Sequence, residues 1–135
     1  MSTPELNKEI ARRFVSVFES GNTDVLTDVL AEGAIDHNTP TGPQTSGPQV
    51  LAGIVQAFRT GFPDLRVEIE REVAEWDYVV QYGYLVGTNN GEFFGRPATG
   101  KSARFAYMDM HRISDGKIVE SWHIEDYTGM MQQLS

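Results

Sequence analysis

The stretch Lys101-Ser-Ala-Arg-Phe-Ala-Tyr-Met-Asp-Met-His-Arg-Ile-Ser-Asp-Gly-Lys-Ile-Val-Glu-Ser-Trp-His-Ile-Glu-Asp126 reads as one long β-hairpin. Ser114, Asp115 and Gly116 at its centre tolerate positive φ and bond their own backbone, while the arms on either side are rich in β-branched and aromatic residues. Side chains alternate along a strand, so Tyr107, Asp109 and His111 share one face of the first arm, and Ser121, His123 and Glu125 share one face of the second. Whether the two sets meet depends on the register, because a slip of one residue exchanges the faces of an arm.

Upstream of the hairpin the apolar spacing is first helical, then alternating. Thr3 and Pro4 start a helix with the stripe Leu6, Ile10, Phe14, Val17 and Phe18, which Gly21 ends. Thr23 caps a second helix with Leu26, Val29 and Leu30 facing inward, closed by Gly33. The short extended run Ala34-Ile35-Asp36-His37 leads into a loop from Asn38 to Pro48 that carries three prolines. Pro48 opens a third helix with Leu51, Ile54, Val55 and Phe58 on one side, ended by Gly61 and Pro63. From Leu65 the period becomes two, giving one strand with a wet face and, after Glu75-Trp76-Asp77, a second over Tyr78–Val86. Glu92 to Ala98 reads as a short strand running into a loop. Helices gathered against an antiparallel sheet define an α+β domain over residues 1–135, with a cavity between a curved sheet and the helices on its concave side.

The run Arg112-Ile-Ser-Asp-Gly-Lys-Ile-Val-Glu-Ser-Trp122, followed by Asp126 and Gly129-Met-Met-Gln-Gln-Leu134, resembles the carboxy-terminal signature of the SnoaL-like polyketide cyclases. These are cone-shaped domains of the nuclear transport factor 2-like superfamily. More loosely, Phe14-Val-Ser-Val-Phe18 with Gly21-Asn-Thr-Asp24 resembles the family's first helix and turn, and Gly42-Pro43 to Phe58 its third helix. The resemblance implies a proton-transfer enzyme that closes a ring by intramolecular aldol condensation of a polyketide-like ketone. It places His123 at the family's catalytic acid/base position, where the cyclases carry an aspartate. Asp109 falls where they carry a histidine, and Tyr107 where they carry a polar cavity residue. The two charge types are exchanged, and the expectation is that His123 acts as base with Asp109 as its carboxylate partner. Two other readings stay open: a non-catalytic small-molecule-binding module, and an isomerase or dehydratase of another hydrophobic ketone. No Arg-x-Asp stands at Tyr107-Met108-Asp109, unlike the epoxide hydrolases of similar fold.

Further candidates come from the residues themselves. Glu125 shares parity with His123, whereas Asp126 points the other way. His37 and Asn38 are candidate hydrogen-bond donors at the cavity mouth, Phe18 and Phe58 candidate apolar walls, and Trp122 a packing residue. With 19 acidic against 11 basic residues the net charge is −8, and the basic residues are scattered, which argues against nucleic acid and anionic membranes. An uncharged or weakly acidic small molecule fits better, and the expected partner is a hydrophobic small-molecule substrate. The chain has no cysteine, and its three histidines show no helical i, i+4 pair. No phosphate loop or G-x-G-x-x-G pattern occurs, so neither metal nor cofactor is expected. The first nine residues lack an apolar signal core and no run approaches a membrane span, making a cytoplasmic location the default. A homo-oligomer is expected, most simply a homodimer through the open sheet face or else a higher assembly, since Val79, Tyr82 and Tyr84 put apolar groups on both sides of one strand.

Overall fold

A computed structural model describes residues 3–135; Met1 and Ser2, which the expected domain includes, lie outside the described residues. Thr3 caps helix α1 (Pro4–Ser20) by accepting a hydrogen bond from the Leu6 amide, and Gly21 ends it in the left-handed conformation with φ 72°. The second helix is shorter than its apolar pattern. A 3₁₀ turn at Thr23–Val25 runs into the single turn α2 (Leu26–Val29), and strand β1 (Leu30–Thr39) begins where the helix was expected to continue. Leu30 pairs instead with Ile118 in the sheet, so pairing overrides the local spacing.

The proline-rich segment is also more regular than a loop. Its residues Gly42–Thr45 form β2, which pairs antiparallel with β1 and lies at the sheet edge, where Pro43 displaces no inner ladder bond. Helix α3 (Pro48–Gly61) follows, then β3 (Arg66–Glu75), β4 (Tyr78–Thr88), β5 (Ser102–Ser114) and β6 (Lys117–Glu125). The expected strand near Phe93 reduces to a single bridge between Phe93 and Arg96. Asp126 caps a fourth helix, α4 (Tyr127–Leu134), by accepting from the Gly129 amide.

The strands form one curved six-stranded sheet in the order β2-β1-β6-β5-β4-β3. It is mixed rather than wholly antiparallel: β1 runs parallel to β6, joined through the long excursion that contains α3 and the other strands. Phe14 and Val17 of α1 and Leu51 and Val55 of α3 pack with Val79, Ile113 and Ile118 from the sheet. Phe58, Leu85, Phe105, Tyr107 and α4's Met130 and Leu134 form a second cluster beside it. Burial of these apolar faces fixes which side of each strand points inward.

The β5–β6 connection sets the register of the site. Asp115 and Gly116 are the two residues between Ser114 and Lys117, with φ of 52° and 76°, a turn whose twist suits a two-residue hairpin. Ile113 pairs with Ile118, but Arg112 pairs with Glu120, so Val119 is an extra residue on β6. This bulge reverses the facing of everything beyond it.

Candidate active site

Beyond the bulge the hairpin presents three facing pairs to the concave side: His111 opposite Ser121, Asp109 opposite His123, and Tyr107 opposite Glu125. All six line one cavity, together with Asp36 of β1 and an apolar wall that includes Phe14, Phe18, Leu51, Ile54 and Phe58. Phe18 and Phe58 stand edge to face at 5.4 Å, bracing the wall between α1 and α3. Gly83 lies opposite Tyr107 on β4, and a side chain there would meet the Glu68 carbonyl at 2.2 Å and the Tyr107 ring at 3.0 Å. A residue without Cβ lets that ring lie against the sheet.

His123 does not pair with Asp109 through its ring. Its Nδ1 lies 2.7 Å from Glu125 Oε1, and its Nε2 lies 3.0 Å from Asp36 Oδ2. Asp36 is brought within reach because β1 runs beside β6, with Asp36 in register with Ser121. The hydrogen bond to Asp36, then that to Glu125, lift the imidazole from its ordinary 6.5 to about 10. The ring is therefore a cation at neutral pH, with both N–H groups committed to carboxylates and no lone pair to offer. Burial works against ionisation of Asp36, but its hydrogen bonds from His123 and the Asn38 amide prevail and carry its carboxyl below the ordinary value.

Asp109 stands directly across the strand pair, almost fully buried at 8% exposure. Burial, and then the charge of Glu125, push its carboxyl from 3.8 up to about 7. His111 Nε2 lies 3.8 Å from Asp109 Oδ2, beyond hydrogen-bond range. His111 is buried, with Nδ1 2.7 Å from Ser121 Oγ and its ring edge-on to Phe14 at 5.1 Å. Burial, and then the positive charge of His123, lower its pKa to about 3, so this imidazole is neutral. Burial likewise raises the Tyr107 hydroxyl well above its ordinary value, so that it keeps its proton.

The expectations for His37 and Asn38 need correction. His37 lies on the outer face of the sheet, stacked on Trp122 at 4.5 Å and bonded through Nε2 to Glu120. The parity of β1 that turns Asp36 inward turns its neighbour outward. Asn38 does not line the cavity. Its Oδ1 accepts from the His123 amide and its own amide donates to Asp36 Oδ1, so it ties β1 to β6 behind the site. Sequence reasoning gave Asp36 no role in the site, and it placed His111 and Ser121 on the faces of Asp109 and His123 without assigning them one. Ala34, buried at 3%, stands two residues before Asp36 on the same face of β1, and that shared parity marks Asp36 as inward-facing. Among the described residues, no group of three or more His, Asp or Glu side chains is arranged to hold a metal ion.

The sequence profile of the SnoaL-like polyketide cyclases matches residues 8–134. The chain belongs to that family. The aklanonic acid methyl ester cyclase DnrD of Streptomyces peucetius is 31% identical, the match covering 93% of this chain and 88% of that one. The nogalonic acid methyl ester cyclase of Streptomyces nogalater is 30% identical over 89% of this chain and 90% of its own. Among solved structures, IdmH, a putative polyketide cyclase from Streptomyces antibioticus, superposes with a TM-score of 0.81 at 27% identity, covering 95% and 97% of the two chains. Within this family of polyketide cyclases the fold is the nuclear transport factor 2-like α+β cone, and the relatives support a cyclase-like enzymatic role. No helix is long and apolar enough to cross a membrane among the described residues.

Proposed function

We propose that this chain is a cofactor-independent cyclase that closes a ring in a polyketide-like methyl ester by intramolecular aldol condensation, with Asp109 as its base. The observation that carries the reading is the contrast between Asp109 and His123. A carboxyl near 7 is half ionised at physiological pH and strong enough to take a C–H proton acidified by adjacent carbonyls, whereas His123 offers no free nitrogen. The chemistry exchanged between the two positions is thus carried by the residue that is an acid here. His123 acts as a fixed cation that holds Asp36 and Glu125 in place and moderates their repulsion of an ionised Asp109.

The charge of the cavity supports an ester over a free acid. Asp36, Asp109 and Glu125 face one protonated His123, and among the described residues no Lys or Arg lines the cavity. A ligand carboxylate would enter this acidic, largely apolar space without a free cation to pair with. Turnover of aklanonic and nogalonic acid methyl esters, followed as conversion to an isomeric cyclised product of unchanged mass, tests the reading. The esters are expected to react and the corresponding free acids to react at least 10-fold less well. An ester that binds without turnover would replace the cyclase by a binding module.

The outer sheet face supports a homodimer. Met108 and Ile124 are 47% and 72% exposed there and sit beside Trp122 and Tyr82. Sedimentation equilibrium at micromolar concentration is expected to give twice the 15.1 kDa chain mass, and a monomer removes this part of the reading.

A further inference from the structure

The floor of the cavity carries two polar atoms that the fold leaves unused. The Tyr107 hydroxyl and His111 Nε2 are both buried without a hydrogen-bond partner, although both side chains line the cavity. Folded proteins rarely keep such atoms without a use for them. They belong to alternate residues of β5 on either side of Asp109, each about 6–7 Å along the strand from it. His123 supplies nothing here, because Glu125 and Asp36 occupy its two nitrogens.

The surroundings of His111 also select its tautomer. A serine hydroxyl both donates and accepts, so the contact between Nδ1 and Ser121 Oγ is satisfied with the ring proton on either nitrogen. The other side decides. Nε2 faces Asp109 Oδ2 at 3.8 Å, and an ionised carboxylate at that distance favours an N–H over a lone pair. Ser121 then donates to Nδ1, and Nε2 carries the proton.

We propose that Tyr107 O–H and His111 Nε2–H form an oxyanion receptor for the carbonyl oxygen next to the carbon that Asp109 deprotonates, with Asp109 favouring the Nε2–H tautomer of His111 and Ser121 donating to its Nδ1. This deepens the cyclase reading and rests on it for the role of Asp109. Asp109 takes the proton as the C–H bond breaks, and the electron pair moves through the new C=C bond onto the carbonyl oxygen. The enolate oxygen accepts from the two donors. The enolate carbon then attacks a second carbonyl of the same molecule, a C–C bond forms, and the resulting alkoxide recovers the proton from Asp109. A neutral imidazole is a suitable donor, since it gives up no proton of its own and leaves the nearby carboxyl free to change charge. The low pKa of His111 keeps its imidazole neutral, and the raised pKa of Tyr107 keeps its hydroxyl protonated.

A fused-ring phenol places a hydroxyl oxygen where the enolate oxygen would lie, so 2-naphthol serves as the probe. Nitrogen-15 NMR of the histidine side chains is expected to show His111 neutral with its proton on Nε2, and saturation with 2-naphthol is expected to shift that nitrogen. Because Asp109 and not Ser121 sets the tautomer, Ser121→Ala is expected to leave the proton on Nε2, and a proton found on Nδ1 in that variant contradicts the assignment. With an ester substrate, Tyr107→Phe and His111→Gln are expected to lower kcat about 10²–10³-fold with little change in KM, as for the loss of one oxyanion donor. A bare Nε2 in the wild-type protein, a His111 signal unmoved by 2-naphthol, or no binding of 2-naphthol at millimolar concentration overturns the proposal. The NMR readouts involve no turnover. A shifted His111 in a protein that converts no ester keeps the receptor and removes the cyclase, and ester turnover with a bare Nε2 does the reverse.

Discussion

His123 and His111 stand in adjacent rows of one cavity floor, yet one is charged and the other neutral. His123 lies between two carboxylates and is lifted to about 10, whereas His111 lies between a serine hydroxyl and a phenylalanine ring and is lowered to about 3. The same side chain is a permanent cation in one row and a permanent neutral dipole in the next. Neither is the ordinary histidine that exchanges a proton near neutrality, and the group that does titrate there is the aspartate between them. The difference shows that the partners brought by β1 and β6, more than the residue type, assign the chemistry.

The largest effect is expected from removing the titrating group itself. Asp109→Asn should lower turnover about 10²–10⁴-fold, the range for a positioned acid/base group. The same variant should be more stable than wild type at pH 8. A carboxyl whose pKa rises from 3.8 unfolded to about 7 folded contributes most below pH 3.8 and costs stability as pH rises through 7. At 1.36 kcal/mol per unit the penalty above pH 7 is up to about 4 kcal/mol, and urea denaturation at pH 8 and pH 4 should show it present and then largely absent. Unchanged activity or equal stability at both pH values would break the contrast between Asp109 and the histidines.

A smaller but sharper effect concerns the clamp on His123. Asp36→Asn and Glu125→Gln should each lower its midpoint from about 10, and the double variant should lower it further towards 6.5. NMR titration of the His123 ring reads this directly, and a midpoint unmoved in the double variant contradicts the assignment. With the clamp released, His123 gains a free nitrogen and becomes alike in kind to an ordinary histidine. The smallest effect belongs to the third histidine, on the other face. His37→Ala removes a partly exposed hydrogen bond to Glu120 and a stack on Trp122, which should cost about 1 kcal/mol or less and leave turnover unchanged. A loss of turnover would mean that the outer face communicates with the cavity.

Much of this arrangement could be read from the residues. The turn at Asp115-Gly116, the alternation of Tyr107, Asp109 and His111, and the apolar stripes of α1 and α3 follow from local chemistry that the fold keeps. What local chemistry does not carry is the one-residue bulge at Val119. Counting outward from Ser114 opposite Lys117 without it would set Asp109 against Trp122, and His123 would face away. The clamp was hidden for a related reason: Asp36 and His123 are 87 residues apart, and the parallel pairing of β1 with β6 brings them together. The proline-rich segment misled in the other direction. Its edge position allows Pro43 inside β2, where an inner strand would not.

The pH dependence of kcat/KM for the wild-type protein on aklanonic acid methyl ester tests the central assignment most directly. The base must be ionised to act, so the rate should rise with pH about a midpoint near 7, where Asp109 loses its proton, and fall near 10, where the His123 clamp discharges. A profile that instead begins to rise only near 10 would make His123 the base and contradict the account.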